Sequence, residues 1–316
     1  MAEWLYEEGI GENRAILVED GAILEAAIEL PAGLRFGAVV DATLSSIAGI
    51  AEADGHNAMV SPLPGVSEGA TFRAEVVREE IPEAGKIRPA RLRPADLPLR
   101  EGPSLKERIG NPAPLPASGP DLFEQAGWSE LLDEAATGEI AFDCGALRMS
   151  VTPAMTLFDV DGSLPPEALA VAGAEAAARA ILRLGIAGSI GIDLPTLPRD
   201  QRQAAAGAID AILPQPFERT AVNGFGFLQI VRRRARASIP ELVQTAPALA
   251  AARALLRRAG RLHGAVAIHA AARVIAALES RPDWLAQLER RTGGAVTLLG
   301  APGLAISAGH VQRRQD

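Results

Sequence analysis

Asp159-Val160-Asp161 and Asp193 are the residues whose type and spacing could do chemistry. Asp159 and Asp161 stand two apart in a strand-like run, so their side chains share one face. Each set closes an apolar run: TLFD ends on Asp159 and SIGID on Asp193. In an α/β sheet, functional groups collect at the carboxyl ends of strands, so two adjacent strands would bring three carboxylates together. Like charges at close range require one group to take up a proton or a cation to bridge them. Mg²⁺, or Mn²⁺ in its place, suits such a site. Mg²⁺ accepts one or two carboxylates and completes its octahedron with water and substrate phosphate. The chemistry available there is activation of water and neutralisation of charge on a scissile phosphate. The same spacing also suits aspartates that cap the turns and helices following each strand.

A second constellation is Arg232-Arg233-Arg234 with Arg236, directly after the apolar GFGFLQIV. On a continued strand, Arg232, Arg234 and Arg236 would face one way, as a phosphate-binding row. A solvated basic edge that blocks strand aggregation is the other reading. His56, His263, His269 and His310 share no metal-ligand spacing. Cys144 is expected to be a small buried apolar residue. Gly224-Phe225-Gly226 opens no phosphate loop, because neither a helix start nor a lysine follows.

The elements that must position these groups alternate over 154–234. The strand before Asp159 is followed by a helix in 166–185, which begins with Pro and Glu and stops at Gly185. Then come the strand SIGIDLP, a helix ending near Pro214, and the strand before the arginines. That order predicts an α/β unit. Upstream, RAILVEDGAILEAAIEL reads as two strands about an Asp20-Gly21 turn. Short strand-like runs in 35–93 predict a small barrel or sandwich. Nine prolines between 82 and 120 predict an extended linker. Residues 121–136 read as one helix with Asp121 as N-cap. Residues 240–291 read as largely helical, and GAVTLLGAPGLAISAGHV as two strands around a Gly-Pro turn.

Composition limits what this frame can do. The chain has 316 residues and one cysteine, so an intramolecular disulfide and multi-cysteine zinc sites are excluded. Aromatics are 4%, too few for a broad base-stacking platform. No apolar window is long enough for a transmembrane helix. The first thirteen residues lack the basic and apolar regions of a secretory signal, so a cytoplasmic location and no membrane contact are expected. A net charge of −8 argues against nucleic acid, yet it is unevenly divided. Residues 1–172 carry 12 basic and 29 acidic side chains, a net of −17. Residues 173–316 carry 19 arginines and 10 acids, a net of +9. Such asymmetry hints at nucleic-acid or membrane contact.

Several segments together resemble the ribonuclease E/G family. TPAMTLFDVDG (152–162) is similar to the family's strand ending in Asp, an apolar residue and Asn. SIGIDLPTL is similar to its second metal-bearing strand. NGFGFLQIVRRRARASI (223–239) is similar to its phenylalanine-glycine-leucine strand that ends in arginines. AARVIAALESRPDWLAQLERRTGGAVTLL resembles its small domain. The resemblance covers most of the chain and is most specific in 152–239. It implies an α/β, overall α+β, chain with an RNase H-like nuclease core. The implied units are an N-terminal hairpin (1–34), an inserted OB-fold RNA-binding barrel (35–94), and a proline-rich linker with a helix (95–137). The catalytic core (138–245) and a small C-terminal α/β domain (246–316) follow. The implied activity is a Mg²⁺-dependent endoribonuclease that cuts single-stranded RNA and leaves 5′-phosphates. The alternative is a catalytically weak or inactive RNA-binding protein of the same fold.

Carried over by position, Asp159 and Asp193 would hold the metal. Asp161 stands where the family has an asparagine that orients the attacking water. Arg232 and Arg234 match its basic strand, with Arg236 beyond them, and Met59 and Arg88 fall roughly where it stacks and contacts a base. The departures also matter. Asp161 adds negative charge, Met59 is a poor stacking surface, and the two-cysteine zinc link is missing, so no zinc and no cysteine-zinc-linked dimer are expected. The family's 5′-monophosphate sensor has no clear counterpart, which implies indifference to the 5′ end. The oligomeric state is left open.

Overall fold

The computed structural model describes residues 1–31, 33–116 and 118–314. Asp20 and Gly21 both take positive φ, 51° and 78°, and reverse the chain between two strands as the sequence predicts. Strands β1 (Glu3–Glu8), β2 (Asn13–Glu19) and β3 (Ala22–Glu29) form an antiparallel sheet.

A closed five-stranded barrel follows. Its strands β4 (Val39–Ser46), β5 (Ile50–Ala53), β6 (His56–Val60) and β7 (Thr71–Arg78) are separated from the fifth by a small hairpin. That hairpin pairs β8 (Ile81–Glu83) with β9 (Lys86–Arg88), and β10 (Ala90–Pro94) then closes the barrel. The cyclic order is β10-β6-β5-β4-β7, with β10 parallel to β6, an arrangement compatible with an OB-like fold. The interior is filled by alternate residues, many of them alanine: Ala42, Ala51, Ala53, Ala58, Ala74 and Ala90. The proline-rich segment is therefore not wholly irregular. Pro82 sits in β8, whose lone partner leaves one edge free and so needs no proline N–H, and Pro94 ends β10.

Ser104 and Glu107 form a capping box that starts α1 (Leu105–Arg108). The helix expected over 121–136 divides at Gly127, whose φ of 93° is left-handed. It becomes α2 (Leu122–Gln125), capped by Asp121, and α3 (Trp128–Thr137). The core sheet uses β11 (Glu139–Phe142), β12 (Gly145–Val151), β13 (Thr156–Gly162) and β14 (Gly188–Asp193). Helix α4 (Pro166–Arg183) joins β13 to β14. Helix α5 (Arg202–Ile212) leads to β15 (Phe217–Arg219) and β16 (Phe227–Arg232). The sheet order is β11-β12-β13-β14-β16-β15.

Alternation decides which face of this sheet is buried. Phe158, Val160, Ile190, Ile192, Leu228 and Ile230 point into the core with the apolar faces of α4 and α5. At Gly173 a Cβ would strike Val160, so glycine lets α4 lie close on β13. The opposite face carries the intervening residues, among them the three aspartates, and these are exposed.

Helix α6 (Ile239–Thr245) packs Ile239 and Val243 into the core, and the C-terminal unit holds α7 (Pro247–Ala259), β17 (Val266–Ala270), α8 (Ala272–Glu279), α9 (Pro282–Thr292), β18 (Val296–Gly300) and β19 (His310–Arg313). Strand β17 lies inside the stretch expected to be helical. It is the central strand of β18-β17-β19, and an apolar run buried on both faces carries no alternation to mark it as a strand. β18 and β19 flank it and do not pair with each other. No helix among the described residues is long and apolar enough to cross a membrane.

Ion pairs join these units. Glu7 and Glu12 of the hairpin hold Arg14 at 2.7 Å each. Glu7 also binds Arg257 of α7 at 2.8 Å, and Arg257 reaches Asp121 ahead of α2. Arg261 pairs with Asp121 at 3.1 Å. Arg14 and Arg257 are buried, so their charges depend on these partners.

Candidate functional site

β13 and β14 are adjacent and parallel, and Asp159 is in register with Asp193. Neighbouring strands lie about 4.8 Å apart, so the two carboxylates stand side by side at the carboxyl ends of their strands. Both are exposed on the face that no core helix covers. The floor beside them is apolar. A Cβ at Gly191 would come within 2.7 Å of Leu157 and 2.5 Å of Phe227, so those two side chains close over the glycine.

Asp161 shares the face but is engaged otherwise. Arg148, in register with Asp159 on β12, reaches Asp161 Oδ2 at 3.3 Å. Among the described residues no three His, Cys, Asp or Glu side chains stand close enough to hold an ion together. The expected convergence of three carboxylates is thus a pair with a third drawn aside by an arginine. Mg²⁺ needs only one or two carboxylates when a phosphate and waters complete its shell, so the pair suits it. Capping does not account for these aspartates. Among the described residues, none of the three accepts a backbone N–H hydrogen bond, whereas Asp121 and Ser238 visibly do so at their helices.

The arginine row requires correction. β16 ends at Arg232, so Arg232, Arg234 and Arg236 do not line one strand face. Arg232 Nη1 donates to the Ile186 carbonyl at 3.1 Å. Arg234 pairs with Glu241 and, at 3.7 Å, with Glu83. Arg236 pairs with Glu79 at 2.9 Å and lies over the Phe36 ring. Ser238 and Glu241 form a capping box for α6, which turns the chain out of the sheet just beyond the arginines. They also lie at the wrong end to meet the aspartates. Arg232 pairs with Gly188, five residues from Asp193, or about 17 Å along the strand.

On the barrel, Met59 is exposed on β6, with Ile50 of β5 beside it and Arg91 of β10 on the other side. Arg88 belongs to the small β8–β9 hairpin and pairs with Glu83 at 2.6 Å. Arg91, not Arg88, is the cation next to Met59. Its position could have been read from ARLRP, where an inward Leu92 sends Arg91 and Arg93 outward. Arg78 pairs in register with Arg91. Burial and the nearby guanidiniums of Arg88, Arg91 and Arg234 hold the Arg78 group below its ordinary value. Arg78 and Arg91 thus stand side by side next to Met59 on the barrel.

Comparison of the chain with protein-family models and with curated proteins returned no match. The functional reading therefore rests on these residues and their geometry.

Two other residues escaped the sequence reading, and the expectation for Cys144 requires correction. Arg148 gave no signal, because its partner Asp161 lies across a strand pair. Phe225, in the turn before β16, is exposed, two residues ahead of the register partner of Asp193. Cys144 is exposed, not buried, in the turn between β11 and β12, where its φ is 64°. Two residues span that hairpin, which leaves the cysteine no interior to enter.

Proposed function

We propose that this protein is a Mg²⁺-dependent endoribonuclease that cuts single-stranded RNA and leaves 5′-phosphate ends. The observation that carries the reading is the in-register pair Asp159 and Asp193, exposed at the carboxyl ends of adjacent parallel strands. A carboxylate pair left in water, with no capping bond to explain it, has the form of a cation site that a substrate phosphate completes. When bound there, Mg²⁺ or Mn²⁺ supplies Lewis acidity and an activated water. Asp159 and Asp193 hold the cation, and Asp161 orients the attacking water with Arg148 restraining its carboxylate. The six-stranded sheet serves as an RNase H-like core, and the barrel as an OB-fold that binds RNA through Met59, Ile50, Arg78 and Arg91. Arg234 and Arg236 tie the core to Glu83 and Glu79 on the barrel side, Arg88 pairs within its own hairpin and Arg232 bonds the Ile186 carbonyl, so any phosphate contact these four make comes second to those bonds. No zinc takes part, and the protein works in the cytoplasm.

The test is cleavage of A/U-rich single-stranded RNA with and without Mg²⁺. Activity that needs the ion and is lost in Asp159→Asn and Asp193→Asn supports the reading. RNA binding with no cleavage under any divalent ion selects the second reading, an inactive RNA-binding protein of the same fold. That second reading is favoured by the charge of Asp161, which stands beside the pair and repels a phosphate.

A further inference from the structure

The chain has eight phenylalanines, three tryptophans and one tyrosine, and among the described residues Phe225 is the only one of these rings that is exposed, at 83%. Its position is held by a rigid turn. Asn223 Oδ1 accepts hydrogen bonds from the Phe225 N–H at 2.8 Å and the Phe227 N–H at 3.1 Å. Gly226 N–H donates to the Asn223 carbonyl at 3.3 Å, and Thr196 Oγ1 donates to the Phe225 carbonyl at 3.3 Å. Gly226 takes a φ of 91°, and a Cβ there would run into the Leu194 carbonyl, so the turn is specific to glycine. Phe227, two residues on, is the register partner of Asp193. Two residues span at most about 7 Å, so the Phe225 ring stands at the edge of the carboxylate pair.

We infer that Phe225 is a base-stacking subsite: its ring receives an unpaired nucleobase next to the phosphate that the carboxylates address. The inference rests on the ribonuclease reading above. A flexible loop would fold an isolated ring back onto the protein, whereas this turn fixes it outward in five hydrogen-bonded residues. A single ring, with no other large apolar side chain exposed in 220–230, is too small for a protein-docking patch. It matches one planar base, and every base has a π-face, so the subsite is tolerant of sequence.

The test measures binding of the full chain to a fluorescein-labelled oligoadenylate of twelve nucleotides, in EDTA so that nothing is cut. An abasic sugar-phosphate chain of equal length is the control. Phe225→Ala is expected to raise Kd for oligoadenylate about tenfold and to leave the abasic chain unchanged. Phe225→Trp should keep the wild-type Kd, and its indole fluorescence should be quenched by oligoadenylate and not by the abasic chain. An unchanged Kd in Phe225→Ala, or an equal loss for both ligands, overturns the inference. If the wild type still shows cleavage that depends on Asp159, the ribonuclease reading survives that result. A wild type that neither binds nor cuts RNA ends both. Base-dependent loss in a protein that cuts nothing keeps the stacking subsite and removes only catalysis.

Discussion

At the scale of single residues, Asp159 and Asp193 contribute chemistry and little else. They are exposed, and among the described residues their carboxylates accept no backbone N–H, so their replacement leaves the core untouched. Asp159→Asn and Asp193→Asn should melt within about 2 °C of the wild type, since surface changes away from caps and cores fall within ~0.5 kcal/mol. Each should lose Mg²⁺-dependent cleavage, and a variant that keeps full turnover would sink the metal-pair reading. Asp161 behaves differently. It adds a charge facing the substrate, partly offset by Arg148 at 3.3 Å. Asp161→Asn should lower KM for RNA about fivefold at low salt, the worth of ~1 kcal/mol for a unit charge a few ångströms away in water. Steady-state kinetics in about 0.5 M KCl should show that difference gone, because exposed charges are screened.

At the scale of elements, two joints carry the architecture. One is the turn at Gly226, where β16 meets the end of β14. Gly226→Ala forces a Cβ onto the Leu194 carbonyl in a left-handed backbone. It should cost about 1–3 kcal/mol in urea unfolding and displace Phe225 as well. The other joint is Arg257, which ties α7 to β1 through Glu7 and to the N-cap of α2 through Asp121. Arg257→Ala removes one guanidinium from buried Glu7 and half-buried Asp121, which keep Arg14 and Arg261, and should cost about 1–3 kcal/mol. The pH dependence of this joint has a definite sign. Burial pushes the Asp121 carboxyl up, but the Arg257 hydrogen bond, the Glu124 N–H and the charges of Arg257 and Arg261 outweigh it and hold it low. A carboxyl depressed in the folded state adds stability above its unfolded pKa and loses it as pH falls through the folded value. The melting-temperature gap between wild type and Asp121→Asn should therefore be full at pH 7 and shrink below about pH 4.

At the scale of the whole molecule, the division of charge finds its explanation inside the fold. The acidic half and the arginine half meet: Glu7 and Asp121 with Arg257 and Arg261, Glu12 with Arg253, Glu79 with Arg236, Glu83 with Arg234. Part of what looks in the sequence like a nucleic-acid footprint is therefore a set of contacts between units. The barrel surface proposed for RNA carries Arg78 and Arg91 beside Met59. RNA affinity should therefore fall with salt on a shallow slope of two or three phosphate contacts, far from the nineteen arginines of the C-terminal part. A titration over 50–300 mM KCl reads that slope, and affinity indifferent to salt would exclude phosphate contact altogether.

The sequence alone determined what is local. The Asp20-Gly21 turn, the Asp121 cap, the start and stop of α4 and the runs ending in Asp159 and Asp193 follow from dihedral preference and side-chain period, which neighbours in the chain suffice to set. It could not show that β17 is a strand, because burial on both faces erases alternation. The tertiary structure alone decided what the charges do. Arg234 is committed to Glu241 where α6 turns back and to Glu83 of the distant β8–β9 hairpin, and Arg148 to Asp161 across the β12–β13 pair. The Asp159–Asp193 pair lies on both sides of that line: its residues were legible in the sequence, and their register was set only when β13 and β14 paired.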